Sequence, residues 1–534
     1  MYIKRFFAYM STLLILAGCS GTHYMRQDDW SAPDDTIVGR PTYLEHGQIA
    51  NMYGTAADDG NTHKIAVLLP LSGTNAAIGK SIRTSVEIAT LQNGSPNLSV
   101  SFFDTGTDAT SEIDNALSQN PDIIIGPLFA DNARILRSKK SSDLPALSFT
   151  SDASAVGDGI FSVALMPTNS VEEIVKQIKS DDIKKFIIIA PDTKSGHLMA
   201  GTAKSAASIY EMPLSGIFFY TEKDSESIKN AALNASMYNA RMAAHTRARQ
   251  VLSDVLTNEN LTEIEKSNLT TQLEKLEKTE TIGSAPFDAV LFLGNGDDTK
   301  ALASFLRYYN IGARDAAFYG TPMWEGSDIV SDYTLSGAKY TALPVGDAKF
   351  TALYEMVSGV QPNRLSNFGY DATNIAINMI YSQKSNAAYL LDPSGYIGTD
   401  GLIRMMPNGD NERALRVMQL NGTGTATEIK PAQKNFMTPI YNVNAMETEL
   451  TDTMELQTDG IDPDEYIRLP ERFRGKYRSK TIGAHIEQQS APIQSNIVTI
   501  ASDDTNPTIT SSEFESVKPE SVKRTYIDEY EVTE

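Results

Sequence analysis

The stretch IAVLLPLSGTNAAIGKS, residues 65–81, joins an apolar strand to a glycine-containing turn ending in Gly79-Lys80-Ser81. That order of residue types is the one that wraps backbone N–H groups around a phosphate. The spacing does not fit: such a loop needs its first glycine at position 74, where Thr74 stands, and Gly73 comes one residue early. One extra residue changes the wrap that the first glycine makes. Asp104, closing VSFFD, has the look of a metal-holding acid, but only as the companion of such a loop. The histidines, His23, His46, His63, His197, His245 and His485, are scattered and form no H-x-x-x-H or H-E-x-x-H pair, so no zinc site is expected. There is no G-x-S-x-G elbow, and GNGDD at 294–298 lacks the third glycine of a dinucleotide fingerprint. The expectation is a protein that is not an enzyme and holds no metal and no cofactor.

The start of the chain carries different chemistry. Lys4 and Arg5 precede a short apolar stretch ending in Leu16-Ala17-Gly18-Cys19. It is too short to span a bilayer and reads as a secretory signal over residues 1–18. It resembles a bacterial lipoprotein signal, with Leu-Ala-Gly-Cys as the lipobox. The resemblance implies cleavage before Cys19, lipid on that residue, and a periplasm-facing protein held on a membrane of the cell envelope. Ser20 stands where an aspartate favours inner-membrane retention, so the same resemblance implies the outer membrane. Cys19 is the only cysteine, which excludes an internal disulfide. The net charge of -21 sets the chain against nucleic acid phosphates, and no nucleic acid partner is expected.

Residues 19–62 are rich in Gly, Asp, Thr and Asn and read as a flexible tether. From His63 short apolar strands (KIAVLLPL, LSVSFFDT, PDIIIGPL, LPALSFTS, KKFIIIAPD, SGIFFYT, FDAVLFLG) alternate with segments of helical period. That alternation predicts parallel sheets flanked by helices, an α/β fold. Runs such as IIIG and FIIIAP are apolar on both faces, as buried parallel strands are. The globular part, 63–445, is too long for one such sheet and fits two. Residues 225–283 break the alternation: SIKNAALNASMYNARMAAHTRARQVLSDVL reads as one long helix, followed by a stripe of Leu261, Ile264, Leu269, Leu273 and Leu276. The spacing predicts a helical hairpin. It is open to two readings, a helix pair packed on its own domain or an arm whose basic face, Arg241, Arg247 and Arg249, meets an acidic partner. Residues 446–534 are acidic and rich in Ser, Thr and Pro and are expected to be mostly disordered, with short helices around DPDEYIRLPERFRGKYR.

The ordered series KIAVLLPLSG, DIIIGPL, PALSFTSDAS, SVALMPTNS and FGYDATNIA resembles type-one periplasmic binding proteins, the branched-chain amino-acid receptor class. That resemblance implies two lobes, about 63–165 with 345–410 and about 166–344 with 411–445, joined by three crossovers around a ligand cleft. The cleft would be lined by Ser72, Gly73, Pro127, Ser148, Thr150 and Ser151 from one lobe and Ser195 and Asp297 from the other. Amino-acid receptors of the class carry Tyr-Gly where this chain has Ser195-Gly196, so the aromatic lid on the ligand is missing. A second branch, the lipoprotein activators of penicillin-binding proteins, shares the lipid signal, the AVLLPLSG start and the IIIGPL turn. Two functions follow as expectations: activator of a peptidoglycan synthase, or substrate-binding lipoprotein of an ABC transporter for amino acids or a similar small polar ligand.

Overall fold

The structure is a computed structural model that describes residues 41–44, 61–382, 386–436, 454 and 460–482. The signal, Cys19 and the chain beyond 482 lie outside the described residues. Part of the expected tether does not behave as one. Strand β1 (Thr42–Tyr43) pairs in parallel with Tyr396–Ile397, and Leu44 is buried.

The first lobe is built on a five-stranded sheet, β2 (His63–Leu69), β3 (Leu98–Asp104), β4 (Ile123–Ile125), β5 (Ala146–Ser148) and β6 (Ile160–Ser162), in spatial order β3-β2-β4-β5-β6. Every pairing is parallel. Side chains alternate across a strand, so Ile65, Val67 and Leu69 enter one core while Ala66 and Leu68 enter the other. Helices α1 (Ala76–Asn93), α2 (Ala109–Ser118) and α3 (Ala130–Lys139) connect the strands. Ile82 and Val86 of α1 cover the first face, and Ile113 of α2 and Leu136 of α3 cover the second.

The chain then crosses into α4 (Pro167–Ser180) and a second sheet. Its strands are β7 (Phe186–Pro191), β8 (Leu214–Tyr220), β9 (Ala289–Phe292), β10 (Ala317–Gly320) and β11 (Lys339–Ala342), all parallel. Helices α5 (Lys194–Ile209), α6 (Ser225–Ala235), α7 (Tyr238–Leu256), α8 (Glu263–Leu276) and α9 (Gly296–Tyr308) fall between them. The chain returns to the first lobe as α10 (Ala348–Ser358), α11 (Arg364–Tyr381), α12 (Asn386–Leu390) and the strands β12 (Tyr396–Gly398), β13 (Gly401–Met405) and β14 (Asn411–Arg413). It crosses a third time, between Arg413 and Arg416, and adds β15 (Arg416–Leu420) and β16 (Ala426–Lys430) antiparallel to the second sheet. The three connectors are stapled side by side. Asn411 donates to the carbonyls of Ser162 and Ala164, the Arg413 guanidinium to Val163 O at 2.6 Å, and Arg416 Nε to Leu343 O at 2.8 Å.

Two readings of the inserted region need correction. The expected long helix is broken at Met237, which takes a left-handed φ of 51°. No Gly or Pro marks the break. The helix before it, α6, belongs to the lobe: Ile228, Ala231, Ala232 and Ala235 pack with Leu302 and Leu306 of α9. Only α7 and α8 form the hairpin, and α8 opens with a capping box in which Thr262 and Glu265 satisfy each other's N–H groups. The second correction concerns the tail, whose expected short helices form at Pro463–Glu465 and Glu471–Arg474 but are packed rather than free. Residues 460–482 pack on the hairpin, with Ile467, Leu469 and α13 (Glu471–Arg474), through Phe473, filling the groove lined by Ala244, Val251, Leu252 and Leu269. The rest of the expected tail lies outside the described residues, apart from Met454, whose carbonyl accepts from Ile217 N at the edge of β8.

Candidate functional site

Ligands of open α/β sheets sit at the carboxyl ends of the strands, and that is where the sequence-picked residues fall. At the first sheet, the turn after β2 closes on its own carboxylate. Asp104 Oδ1 accepts from Leu71 N at 2.7 Å, Ser72 N at 3.1 Å and Gly106 N at 2.8 Å. The N–H groups that a P-loop aims at a phosphate are spent here on a side chain of the neighbouring edge strand, β3. Gly73 sits at φ 71°, and a Cβ on Gly79 would lie 2.0 Å from Pro70 O, so both glycines serve this tight turn. Slight burial pushes the Asp104 carboxyl up, but the hydrogen bonds from Ser72, Gly106 and Leu71 outweigh it and hold the group below its usual range. Asp104→Ala is therefore expected to lose about 2–3 kcal/mol in urea unfolding at pH 7. A depressed carboxylate stabilises above its unfolded pKa, so the difference between wild type and variant should shrink as pH falls through the ordinary carboxylate range and below.

Ser148 and Thr150 are buried and face into their own loop. Ser148 Oγ donates to Pro127 O at 2.8 Å and accepts from Thr150 N, while Thr150 Oγ1 accepts from Asp152 N at 3.2 Å. Pro127 is buried behind them, and Ser151 is exposed. At the second sheet Ser195 is exposed in the first turn of α5. Asp297 is exposed and pairs with Lys300 at 2.9 Å, whereas its neighbour Asp298 is buried and accepts from Asn295 Nδ2 at 3.0 Å. The structure thus brings Ser72, Gly73, Pro127, Ser148 and Thr150 to one sheet edge and Ser195 and Asp297 to the other. The hydroxyls of Ser148 and Thr150 are engaged in the turn chemistry of their loop.

Sequence reasoning missed the groups that tie the two lobes. Glu325, after β10, faces Arg364 at 3.5 Å and Arg416 at 4.0 Å, and Arg364 also meets Asp400 at 2.9 Å. Burial pushes the Glu325 carboxyl up, against the pull of Arg364 and Arg416. Deeper in, Asp371 of α11 is buried and accepts from Thr399 N at 2.8 Å, while the Arg413 guanidinium lies 4.6 Å over the Phe368 ring. No local spacing announces these contacts, because the partners are far apart in the chain. A cavity of about 270 Å³ lies beside the third connector, lined by Glu173, Lys176, Tyr210, Glu412, Lys430 and Phe436. None of the sequence-picked residues lines it. Its charges pair among themselves or with neighbours, Lys176 with Glu173 and Glu412 with Arg404. The hairpin's expected basic face also dissolves in part. Arg241 is buried and donates to Tyr309 O and Gly283 O, each at 3.1 Å, and Arg249 faces Glu277 at 3.7 Å.

Comparison with known proteins agrees with this architecture. Residues 55–205 match the family described as LppC putative lipoprotein. The penicillin-binding protein activator LpoA of Mannheimia succiniciproducens is 27% identical over 143 residues, which is 26% of this chain and 24% of the relative's length. The chain therefore matches about a quarter of that relative. Among solved structures, a putative branched-chain amino acid ABC transporter protein from Rhodospirillum rubrum superimposes over 69% of this chain and 100% of its own, with a TM-score of 0.52 at 14% identity. The C-domain of LpoA from Haemophilus influenzae, described as a regulator of PBP1A, overlaps 68% of this chain and 99% of its own, with a TM-score of 0.46 at 16% identity. The chain has the two-lobed fold of type I periplasmic binding proteins, and over residues 55–205 it matches the LppC lipoprotein family.

Proposed function

We propose that the protein is a non-catalytic lipoprotein of the bacterial cell envelope, anchored through Cys19 in the outer membrane, that activates a peptidoglycan synthase of the penicillin-binding protein type. The observation that carries this reading is the match of residues 55–205 to the LppC lipoproteins, together with the 27% identity to a penicillin-binding protein activator. The state of the cleft supports it. Ser148 and Thr150 are committed to their own loop, Asp297 is paired with Lys300, and Glu325 and Arg364 join the lobes directly. An activator has no need of a free ligand site, and a transport receptor does.

The test has two arms. The mature chain should raise glycan polymerisation or peptide cross-linking by a purified synthase from the same cell. It should also show no rise in melting temperature with leucine, isoleucine, valine or small aromatic acids. A receptor at 100 times its Kd gains about 2.7 kcal/mol from its ligand, a shift that a melting assay resolves. A clear shift with any of these, and a synthase rate unchanged by the protein, would reverse the assignment in favour of transport.

A further inference from the structure

The chain as a whole is acidic, with a net charge of -21, yet one described stretch reverses that sign. From 468 to 482 it carries Arg468, Arg472, Arg474, Lys476, Arg478 and Lys480 against a single acid, Glu471. All six basic side chains are exposed. From 472 to 480 they occupy every second position, and the residues between include Phe473 and Tyr477, which pack into the hairpin core, and Ser479, whose N–H donates to Asp464 at 2.9 Å. The apolar side of the strip is thus its anchor and the basic side is its free face.

The strip is held rather than loose. Gln272 of α8 grips its backbone in both directions, accepting from Arg468 N at 2.7 Å and donating to Arg468 O at 3.2 Å. Arg472 makes a two-toothed contact with Glu265, at 2.7 and 2.6 Å, and a further bond to Asn260 O. The Lys476 ammonium lies 5.4 Å over the Tyr477 ring. Among the described residues the side chains of Arg468, Arg478 and Lys480 enter no ion pair. Fixing the backbone in advance removes much of the ordering cost that a mobile basic tail pays on binding.

We propose that this strip is a docking surface for an acidic segment of a partner polypeptide. The charge of the rest of the molecule selects that occupant over a broad anionic surface. A lipid bilayer or a nucleic acid duplex would lie against the acidic body as well, and like charges within a Debye length of about 8 Å repel. A single segment can follow the strip alone, its acids meeting Arg474 at the end of α13 and Lys476, Arg478 and Lys480 on the chain that leaves it. The inference goes beyond the synthase reading and does not depend on it.

The test uses the full chain and a fluorescent octapeptide of glutamate at low ionic strength. One variant neutralises the strip (Arg468→Gln, Lys476→Gln, Arg478→Gln, Lys480→Gln), leaving Arg472 on Glu265. A control neutralises four exposed lysines elsewhere (Lys80→Gln, Lys185→Gln, Lys194→Gln, Lys204→Gln). The strip variant should bind the octapeptide at least tenfold more weakly while the control binds like wild type, and both should melt as wild type does. Equal loss in both variants would show diffuse attraction and overturn the proposal, as would unchanged binding in the strip variant. Vesicles of phosphatidylglycerol provide the remaining arm: strip-dependent binding tighter than that of the octapeptide would make the surface a lipid site instead.

Discussion

Replacing Phe473 with alanine is expected to cost about 3–5 kcal/mol and to release the C-terminal segment from the hairpin. Phe473 is 6% exposed and shares its core with Ala244, Ala248, Val251, Leu252, Leu269 and Leu276. Helix α13, of four residues, cannot hold itself together, since isolated helices that short do not form in water. Its geometry therefore depends on this burial. The surrounding polar contacts are exposed and add little on their own. With the ring gone, the groove between α7 and α8 opens to water and the two helices lose their cover. Hydrogen exchange reads this directly. Amides of α7 and α8 should exchange faster in Phe473→Ala, while β7, β9 and β10 in the lobe core keep their protection. Equal protection of α7 and α8 in variant and wild type would mean that the segment merely rests on the hairpin.

That segment shows where composition stops being informative. Averaged over 446–534 the chain is polar and acidic, but Ile461, Ile467, Leu469, Phe473, Tyr477 and Ile482 lie close enough together to fill a groove. Their partner surface is on helices about two hundred residues upstream, so the short helices could be read locally but their packing could not. The parallel sheets were legible for the opposite reason. Their strands are buried on both faces and carry an unbroken apolar run, a signal contained in each strand itself. The turn at 70–73 was legible as a strand-end loop, yet its purpose was not, because Asp104 reaches it from a neighbouring strand. Arg241 misled because an arginine on a helix usually lies at the surface with its stem along it. Here two carbonyls, on Tyr309 and Gly283, pull it inside. The Glu325–Arg364 contact had no signal at all, since it forms only when the lobes are set against each other.

Stability is expected to fall as pH rises from about 4 to 7, and Asp371 is the main reason. Burial pushes its carboxyl up to about 7, with Asp400 adding to the shift, against the Thr399 N–H and the Arg413 charge. In the unfolded chain the same group ionises near the ordinary aspartate value of about 4. Between those values the folded protein holds a proton that the unfolded chain has lost. The folded state binds more protons, so its stability declines across the window and levels off above it. Three pH units correspond to about 4 kcal/mol at most. Glu172, also raised to about 7 chiefly by burial, with Lys176 opposing and Glu412 assisting, tilts the curve the same way. Asp104 loses its contribution only as pH falls through the ordinary carboxylate range and below, and leaves the higher part of this window clear. Asp371→Asn separates the contributions. Its amide oxygen still accepts from Thr399 N, Arg413 retains Asp400 as an acidic neighbour, and the ionisable proton is gone. Urea unfolding at half-unit steps of pH should show a shallower decline in the variant, which becomes more stable than wild type at pH 8 by about 2–4 kcal/mol. Because Asp371, Asp400 and Arg413 lie where α11 and the turn before β13 meet the third connector between the lobes, the ionisation that weakens the fold would do so at that connector. A slope in Asp371→Asn as steep as in wild type would exclude Asp371 and leave Glu172 of α4 as the group that titrates.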